Sequence, residues 1–345
     1  MAKKIKLDED ETVESFDPSQ QLDTFLNDME KKYEGRIVRG KDIEQYDAGR
    51  ASISTGSTKL DWALTLPLVE GTINEIHAKN GTGKTTLALE IAANATIMGK
   101  PVFFFDLERK LVESQIAMVP RLKRELFVRI RPDNGEDAVN RVERCVREVP
   151  GCVVIFDSLT QMLPEVEETE GADNQRMGLI AKLAAKMVRK IVGPIERNRC
   201  MVLFISHETA NMDPYSGGIK TKGGNAVPDI AAQRIHLKKL SAGKIVDEKG
   251  NIVGHNVKCK VVKNNQGLPF REVDVPLIYG RGIDRNLDLY QVCTDLGVIE
   301  KNGKAWHVYD FGGVSEKVYK DEILKRIKNN KAYRDSLREA VNAIL

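Results

Sequence analysis

The chain has 345 residues, of which 41% are hydrophobic and 30% are charged, and its formal net charge is +3. This length suits one large α/β domain with smaller appendages, and the composition excludes an intrinsically disordered chain. The charge is too small to argue for nucleic acid by itself, and no apolar run resembles a signal peptide or a membrane span. The five cysteines are scattered without a C-x-x-C pair, which predicts buried free thiols in a reducing cytoplasm.

Residues 1–50 are expected to form an arm ahead of the core. Residues 1 to about 16 are charged and aperiodic, whereas Asp17 and Pro18 are typical of the cap and first turn of a helix. Apolar side chains then follow at the spacing of one helical stripe: Leu22, Phe25, Leu26, Met29 and Tyr33. This stripe can pack on the chain's own core or on a neighbouring subunit, and the sequence leaves both open.

Between residues 51 and 282, strand-like and helix-like segments alternate. Short apolar segments rich in β-branched residues predict strands at 72–77, 101–106, 151–157 and 200–206. Helices are predicted between them, at 87–98, 137–148 and 178–196. This alternation indicates a mostly parallel sheet covered on both faces. Two later strands, 233–239 and 256–262, lack a full helix between them and predict an antiparallel extension. Residues 283–345 are predicted to form a small, basic, mostly helical C-terminal domain.

The segment between the first of these strands and the first of these helices is the most informative. It matches the phosphate-binding pattern G-x-x-x-x-G-K-[ST], except that Ala78 replaces the first glycine. Glycines let backbone N–H groups turn toward phosphate oxygens, Lys84 can reach the β- and γ-phosphates, and the Thr85 hydroxyl can hold Mg²⁺. The nucleotide-binding residues are therefore expected to be Ala78, Lys79, Asn80, Gly81, Thr82, Gly83, Lys84, Thr85 and Thr86.

Polar side chains follow three further strands at the edge where such sheets place ligands. Glu108 suits a general base or a water-orienting group, although by itself it could equally be a helix cap or a surface charge. Asp157 ends an apolar run and matches the aspartate that holds Mg²⁺ in P-loop enzymes. His207 can contact the γ-phosphate and report its presence, although a lone histidine more often serves structure.

In this order the motifs resemble those of the RecA family of recombinases, including phage-encoded members of the UvsX type. The similarity runs from about residue 53 to 282. Glu108 falls where the family carries its catalytic glutamate, and Asp157 falls on its Mg²⁺ aspartate. His207 falls where bacterial members have a γ-phosphate-sensing glutamine and UvsX-like members have histidine. The resemblance implies a RecA-like P-loop ATPase core in which Glu108, Lys84 and His207 are catalytic, and it favours the phage branch.

The resemblance also implies two loops that bind single-stranded DNA. Residues 165–178 are similar to the first loop, in which Met177 would insert between bases. Residues 207–225 are similar to the second, which closes on a Gly-Gly-Asn sequence. Lys182 and Arg189 are spaced for phosphate contacts, although spacing alone favours a solvated helix face. The implied DNA-binding residues are Arg176, Met177, Gly178, Lys182, Arg189, Gly223, Gly224 and Asn225.

Lys263 lies in a segment similar to the one with which the family reaches a neighbouring subunit's ATP. The resemblance therefore adds Lys263 to the nucleotide-binding residues and implies ATP and Mg²⁺ as cofactors. It further implies a DNA-dependent ATPase that forms filaments on single-stranded DNA and exchanges strands with duplex DNA. Loader proteins and single-strand-binding proteins would be further partners, and a phage-encoded member would act in the cytoplasm of the bacterial host.

Two other functions are compatible with parts of the sequence. A hexameric helicase or another DNA-stimulated ATPase motor would share the phosphate loop, Glu108 and Asp157. It would not be expected to carry Arg-Met-Gly at 176–178 together with Gly-Gly-Asn at 223–225. An ATP-gated DNA-binding mediator that barely hydrolyses would not depend on Glu108.

Overall fold

The computed structural model describes residues 17–32, 37–164, 176–210, 219–221, 223–247, 249–302, 305–309 and 315–344. The chain divides into two compact units, with the boundary between Ala48 and Gly49. None of the helices in these described ranges is long and apolar enough to cross a membrane.

The described part of the first unit is helical. Its elements are helix α1 (Pro18–Lys32), a 3-10 turn (Gly40–Asp42) and helix α2 (Ile43–Ala48). Helix α1 begins as predicted, because Asp17 Oδ1 accepts a hydrogen bond from the Ser19 backbone N–H at 2.9 Å. Two members of the predicted apolar stripe, Leu22 and Phe25, are 51% and 58% exposed. The last member, Tyr33, lies outside the described residues.

A ten-stranded sheet forms the centre of the second unit. The strands of this unit are β1 (Ser52–Ile53), β2 (Leu68–Val69), β3 (Thr72–Ala78), β4 (Val102–Asp106), β5 (Phe127–Ile130), β6 (Val153–Asp157), β7 (Met201–Ala210), β8 (Ile219–Thr221), β9 (Gln233–Val246), β10 (Ile252–Asn264), β11 (Glu272–Ile278), β12 (Gly282–Ile283), β13 (Ile299–Asn302), β14 (Ala305–Tyr309) and β15 (Ser315–Val318). The central sheet runs β12-β11-β10-β9-β3-β7-β6-β4-β5, and β8 pairs with β7. Pairing is parallel from β9 to β5 and antiparallel from β9 to β12, which confirms the predicted sheet and its extension.

Helices cover both faces of this sheet. They are α3 (Thr58–Leu64), α4 (Lys84–Ile97), α5 (Glu113–Ala117), α6 (Gly135–Glu148), α7 (Arg176–Arg197), α8 (Ala226–Ile230), α9 (Arg285–Asp295), α10 (Lys320–Asn329) and α11 (Lys331–Ala343), with 3-10 turns at Arg124–Leu126 and Leu159–Gln161. Side chains alternate along each strand, so Phe104 packs in the core on the α4 face and Phe105 in the core against α6 and α7. The carboxyl edge of the parallel strands is thereby left for polar side chains.

The structure corrects three details of the predicted pattern. Strand β5 was not predicted, because it is short and its half-exposed sequence lacks the apolar run of a central strand. Helix α4 begins at Lys84, three residues before its predicted start, since the phosphate loop leads directly into helical geometry. The segment after residue 283 contains the predicted helices, which make up most of its described residues, but also a three-stranded sheet, β13-β14-β15, that was not predicted. All five cysteines are free, as predicted, and four of them are buried.

The C-terminal segment has an apolar core of its own. Buried residues of α9, α10 and α11 form it, together with Ile299 of β13. Trp62 of α3 packs against both this cluster and the main core. Ser57 joins the two regions more directly, because its hydroxyl donates to the fully buried Asp288 carboxylate at 2.5 Å. The segment is therefore attached to the rest of the second unit through buried contacts as well as through the chain.

Candidate functional site

The phosphate-binding motif lies where β3 ends and α4 begins. Gly81 and Gly83 have φ angles of 70° and 99°, a region that residues with a Cβ rarely adopt. A Cβ on Gly83 would also lie 2.4 Å from Leu277 Cδ1, so only glycine fits there. The first backbone N–H groups of a 14-residue helix therefore face this turn. Such a helix start, with its positive dipole end, is suited to bind phosphate.

A cavity of about 490 Å³ lies over the turn and brings most of the predicted site residues together. The predicted residues in its lining are Asn80, Gly81, Thr82, Gly83, Lys84, Thr85, Thr86, Glu108, Asp157 and His207. The lining residues that the sequence did not predict are Lys110, Met118, His255, Leu277, Ile278, Tyr279 and Gly280. The carboxyl ends of four strands, β3, β4, β6 and β7, thus supply the phosphate loop and the three predicted polar side chains.

Lys84 is held at the floor of this cavity by the loop itself. Its Nζ donates to the carbonyl oxygens of Ala78 at 3.1 Å and Lys79 at 3.0 Å. Ala78 and Lys79 therefore contribute backbone oxygens, and their side chains do not line the cavity. Burial lowers the pKa of Lys84, and the charges of Asp157 and Glu108 oppose that effect. An ammonium group with such incomplete solvation is well placed to bind phosphate.

Thr85 and Asp157 form a pair of oxygen ligands beside Lys84. Thr85 Oγ1 donates to Asp157 Oδ2 at 2.8 Å. Burial raises the pKa of Asp157 to about 6, and the nearby charge of Glu108 adds to this effect. Mg²⁺ prefers hydroxyl, carboxylate, phosphate and water oxygens, so this pair fits a Mg²⁺–nucleotide complex. No group of three or more His, Cys, Asp or Glu within the described ranges could hold a metal ion.

Glu108 and His207 meet across the cavity. His207 Nε2 hydrogen-bonds to Glu108 Oε1, which also accepts from Ser158 Oγ at 3.2 Å. Lys110 Nζ donates to the other oxygen, Oε2, at 2.9 Å. The hydrogen bond with His207 is the main reason that the pKa of Glu108 is lowered to about 2. Glu108 is therefore a carboxylate at neutral pH and can accept a hydrogen bond from water.

The residues that sequence reasoning missed come mostly from β10 and β11. His255 lies on β10, and Tyr279 and Gly280 follow β11. The rings of His255 and Tyr279 lie 5.5 Å apart, and both residues line the cavity. An apolar strand followed by Tyr-Gly was the only available signal. It does not reveal that antiparallel pairing brings this strand end to a loop almost 200 positions earlier.

The described ends of the two predicted DNA loops converge on α7. Residues 165–175, 211–218 and 222 lie outside the described residues, whereas Arg176 and Met177 form the start of α7. Gly178, Lys182, Arg189 and Asn225 are exposed. Gly223 and Gly224 have φ angles of 112° and 82°, and a Cβ on Gly224 would lie 2.8 Å from Ala181 Cβ. The glycines thus let the end of the second loop lie close against the helix that follows the first.

Lys263 lies apart from the phosphate cavity of its own chain. Its Nζ donates to the backbone oxygens of Asp229 at 2.6 Å and Pro228 at 3.3 Å. It is absent from the cavity lining, so within one chain it is not brought to Lys84 or Glu108.

Fold and site together define a P-loop nucleoside triphosphatase. The phosphate loop follows a central parallel strand, and β7 lies between that strand and the strand that ends in Asp157. A carboxylate that can orient water faces the loop from β4.

Comparisons with known proteins place the chain more narrowly. The family model of the RecA N-terminal domain matches residues 20–284. The chain is 33% identical to protein RecA of Geobacter sulfurreducens, with 94% of this chain and 92% of the relative covered. It is 30% identical to protein RecA of Rhodospirillum centenum, with 95% of this chain and 90% of the relative covered. It is 32% identical to protein RecA of Haemophilus ducreyi, with 100% of this chain and 92% of the relative covered. The chain belongs to the RecA family.

This membership confirms the function that the motifs predicted. The chain is a RecA-type recombinase and a DNA-dependent ATPase that uses ATP with Mg²⁺. It binds single-stranded and duplex DNA and self-associates into filaments. A helicase or other motor is not favoured, because full-length similarity to recombinases extends well beyond the shared phosphate loop.

Proposed function

We propose that this RecA-family chain is a phage-encoded recombinase of the UvsX type, with His207 as its γ-phosphate sensor. The observation that carries this proposal is the direct hydrogen bond between His207 Nε2 and Glu108 Oε1 inside the phosphate cavity. Bacterial members that the chain resembles have glutamine at this position, so histidine supports the phage branch. Such a protein would act in the cytoplasm of the bacterial host.

The proposed catalytic roles follow from where the charges lie. Lys84 stabilises charge that develops on the β- and γ-phosphate oxygens, and the loop N–H groups bind the same oxygens. Glu108, ionised because its pKa is about 2, orients the attacking water through a hydrogen bond. Thr85 and Asp157 would hold Mg²⁺, which supplies further positive charge to the phosphates when bound.

His207 and Glu108 together form a sensor that depends on the γ-phosphate. In the single chain, Glu108 Oε1 is already engaged by His207 and Ser158. A γ-phosphate attracts the imidazole more strongly than a diphosphate does, because it places extra negative charge at this end of the cavity. Movement of His207 onto the phosphate would free Oε1 for water. Hydrolysis would then begin only when a triphosphate is in place.

We propose the two segments that meet at the start of α7 as the single-stranded DNA site. Gly178, Gly223, Gly224 and Asn225 would offer backbone groups at close range, and Arg176 and Met177 would lie at the end of the first loop. Lys182 and Arg189 are exposed, so they can contact DNA phosphates. Binding measurements on Lys182 and Arg189 variants test whether these side chains contact DNA phosphates or only form a solvated helix face.

Assembly would use helix α1 and Lys263. No residue of helix α1 is buried, so we propose residues 1–50 as an arm that docks on a neighbouring subunit. Lys263 would turn from the backbone oxygens of its own chain to the ATP of the adjacent subunit. Residues 51–282 would be the ATPase core, and 283–345 a basic C-terminal domain that influences entry of duplex DNA.

Steady-state ATPase assays and electron microscopy test this proposal together. We expect single-stranded DNA to raise the ATPase rate, and a slowly hydrolysed ATP analogue to give helical filaments. His207→Gln should retain DNA-stimulated hydrolysis, since glutamine can also hydrogen-bond a phosphate, whereas His207→Ala should make DNA affinity insensitive to ATP versus ADP. If DNA affinity differs between ATP and ADP by the same factor in wild type and in His207→Ala, the sensor assignment is refuted.

A further inference from the structure

Three polar side chains meet across adjacent strands just behind the phosphate loop. His77 lies on β3, Glu208 on β7 and His236 on β9, and β3 lies between the other two strands. Glu208 Oε1 is 2.9 Å from His77 Nδ1 and 3.0 Å from His236 Nε2. The two imidazole rings stack with centroids 5.2 Å apart and planes 17° from parallel. One carboxylate oxygen thus joins three strands, and we call this group the histidine clamp.

The histidine clamp is almost closed to water. Side-chain exposure is 5% for His77, 5% for Glu208 and 14% for His236. Burial by itself would raise the pKa of Glu208, but hydrogen bonds from His236 and His77 outweigh burial and lower that pKa to about 2. Glu208 is therefore a buried carboxylate at neutral pH. Breaking its hydrogen bonds would leave a charge without solvation, so the clamp resists separation of the three strands.

Two residues of the clamp are adjacent in sequence to residues of the catalytic site. Glu208 follows His207, and alternation along β7 directs these two side chains to opposite faces of the sheet. His77 precedes Ala78, whose carbonyl oxygen accepts from Lys84 Nζ at 3.1 Å. A displacement of His207 along or across β7 would therefore pull on a carboxylate anchored to the strand that carries the phosphate loop.

Glu208 is also the first residue of β7 that pairs with β8. Its Cα partner is Thr221, two residues before Gly223. The hairpin of β7 and β8 leads into the segment that we propose for single-stranded DNA. The residue next to the γ-phosphate sensor is thus the residue at which the DNA hairpin begins.

The surroundings of the clamp are strongly basic. On the face away from the nucleotide, His77 and His236 line a second cavity of about 620 Å³. The other residues that line it are Arg234, Lys238, Lys258, Lys260, Val262 and Glu272. Glu272 pairs with Lys258 and Lys260, and Arg234 pairs with Glu75. Across the sheet, Lys84 is close enough for the charge of Glu208 to favour its protonated form.

We propose that Glu208 is a positioning residue that makes ATP hydrolysis respond to single-stranded DNA. The clamp fixes β7 at Glu208, so that DNA bound at the β7–β8 hairpin sets where His207 stands relative to Glu108. This inference rests on the proposed roles of His207 and of the hairpin. Without the clamp, β7 can shift at Glu208 and the hairpin no longer determines the position of His207.

The test compares basal and DNA-stimulated turnover in three variants. Glu208→Leu removes both hydrogen bonds and should lower the ratio of stimulated to basal kcat by about 10-fold, the usual size of coupling between two sites. Glu208→Gln keeps an oxygen that both histidines can donate to, so it should restore most of the ratio. His236→Phe keeps the ring stacked on His77 but removes one donor, and its ratio should lie between those of Glu208→Leu and wild type. This third variant keeps the test decisive if Glu208→Leu does not fold.

Glu272→Gln is the matched control. It removes the same charge from the wall of the same basic cavity but does not touch the clamp, so its ratio should equal that of wild type. Equal losses in Glu272→Gln and Glu208→Gln would assign the effect to charge alone and overturn the inference. A parallel fall of basal and stimulated kcat in Glu208→Leu and His236→Phe, with a lowered Tm, would also overturn it by showing a purely structural role. Absence of stimulation in wild type would instead refute the proposed function itself.

Discussion

The nucleotide site and the proposed DNA site differ in how firmly their side chains are held within one chain. In the phosphate cavity, Lys84, Asp157 and Glu108 are held by hydrogen bonds to other parts of the site. On the DNA side, Lys182 and Arg189 are exposed. Among the residues described there, the glycine turn at Gly224 is fixed by close packing.

The difference follows from what each side must do. Phosphoryl transfer gains most from charges that do not reorganise during the reaction, and burial with hydrogen bonding provides such charges. Binding of a flexible polyanion gains mainly from cations that can adapt to it, and exposed lysine and arginine side chains do so. Substitutions in the cavity should therefore have large effects on turnover, whereas single substitutions on the DNA side should have modest effects on affinity.

The largest expected effect comes from Lys84→Ala. Loss of the ammonium group should lower ATP turnover by about 1000-fold, the upper range for removal of one preorganised group. Nucleotide titration followed by fluorescence should show binding to be weakened as well. Lys123→Ala, on an exposed lysine that does not line the cavity, is the control. Normal nucleotide binding by Lys84→Ala would contradict the phosphate-site assignment.

Glu108→Gln should lower turnover by about 100-fold while nucleotide affinity changes little, because the amide orients water less well and cannot accept its proton. Single-turnover hydrolysis separates this step from binding. Filaments should persist longer on DNA with ATP, since hydrolysis drives their release. Undiminished turnover would favour a role for Glu108 in structure only.

The pH dependence of Mg²⁺–ATP binding should report Asp157. Only the ionised carboxylate holds the metal, and its pKa is raised to about 6. Affinity should thus be full above pH 6 and fall as pH drops below it, by about 10-fold for each further unit. Glu108 remains ionised over this range because its pKa is about 2. Calorimetric titration of Mg²⁺–ATP into wild type and Asp157→Asn checks this. If both proteins lose affinity in the same way below pH 6, the loss belongs to a group other than Asp157.

The smallest expected effect is on DNA affinity in Gly224→Ala. A Cβ there would lie 2.8 Å from Ala181 Cβ and would push the loop end away from α7. We expect single-stranded DNA to bind about 5-fold more weakly, corresponding to about 1 kcal/mol. Gly250→Ala is matched in backbone strain, with φ of 80° against 82°, but its Cβ would have no neighbour within 4 Å. Equal DNA affinity in both variants, measured by fluorescence anisotropy, would count against the loop assignment.

The sequence alone predicts much of the nucleotide site. The phosphate loop was predictable because its chemistry lies in consecutive residues, and Glu108, Asp157 and His207 because each ends an apolar strand. Parallel strands bring such ends to one edge, so the cavity could be anticipated. The short strand β5 and the sheet β13-β14-β15 were missed, because strands on sheet edges or in small sheets lack a continuous apolar run.

The sequence by itself therefore determined the ATPase class, the order of the main strands and helices, and the residues nearest the phosphates. Tertiary structure alone decided that His255 and Tyr279 close the cavity and that Glu208 lies between His77 and His236. Local propensity and spacing describe neighbours along the chain. Contacts between residues far apart in sequence depend on which strands pair and in what register, and the whole sheet has to pack before these are fixed.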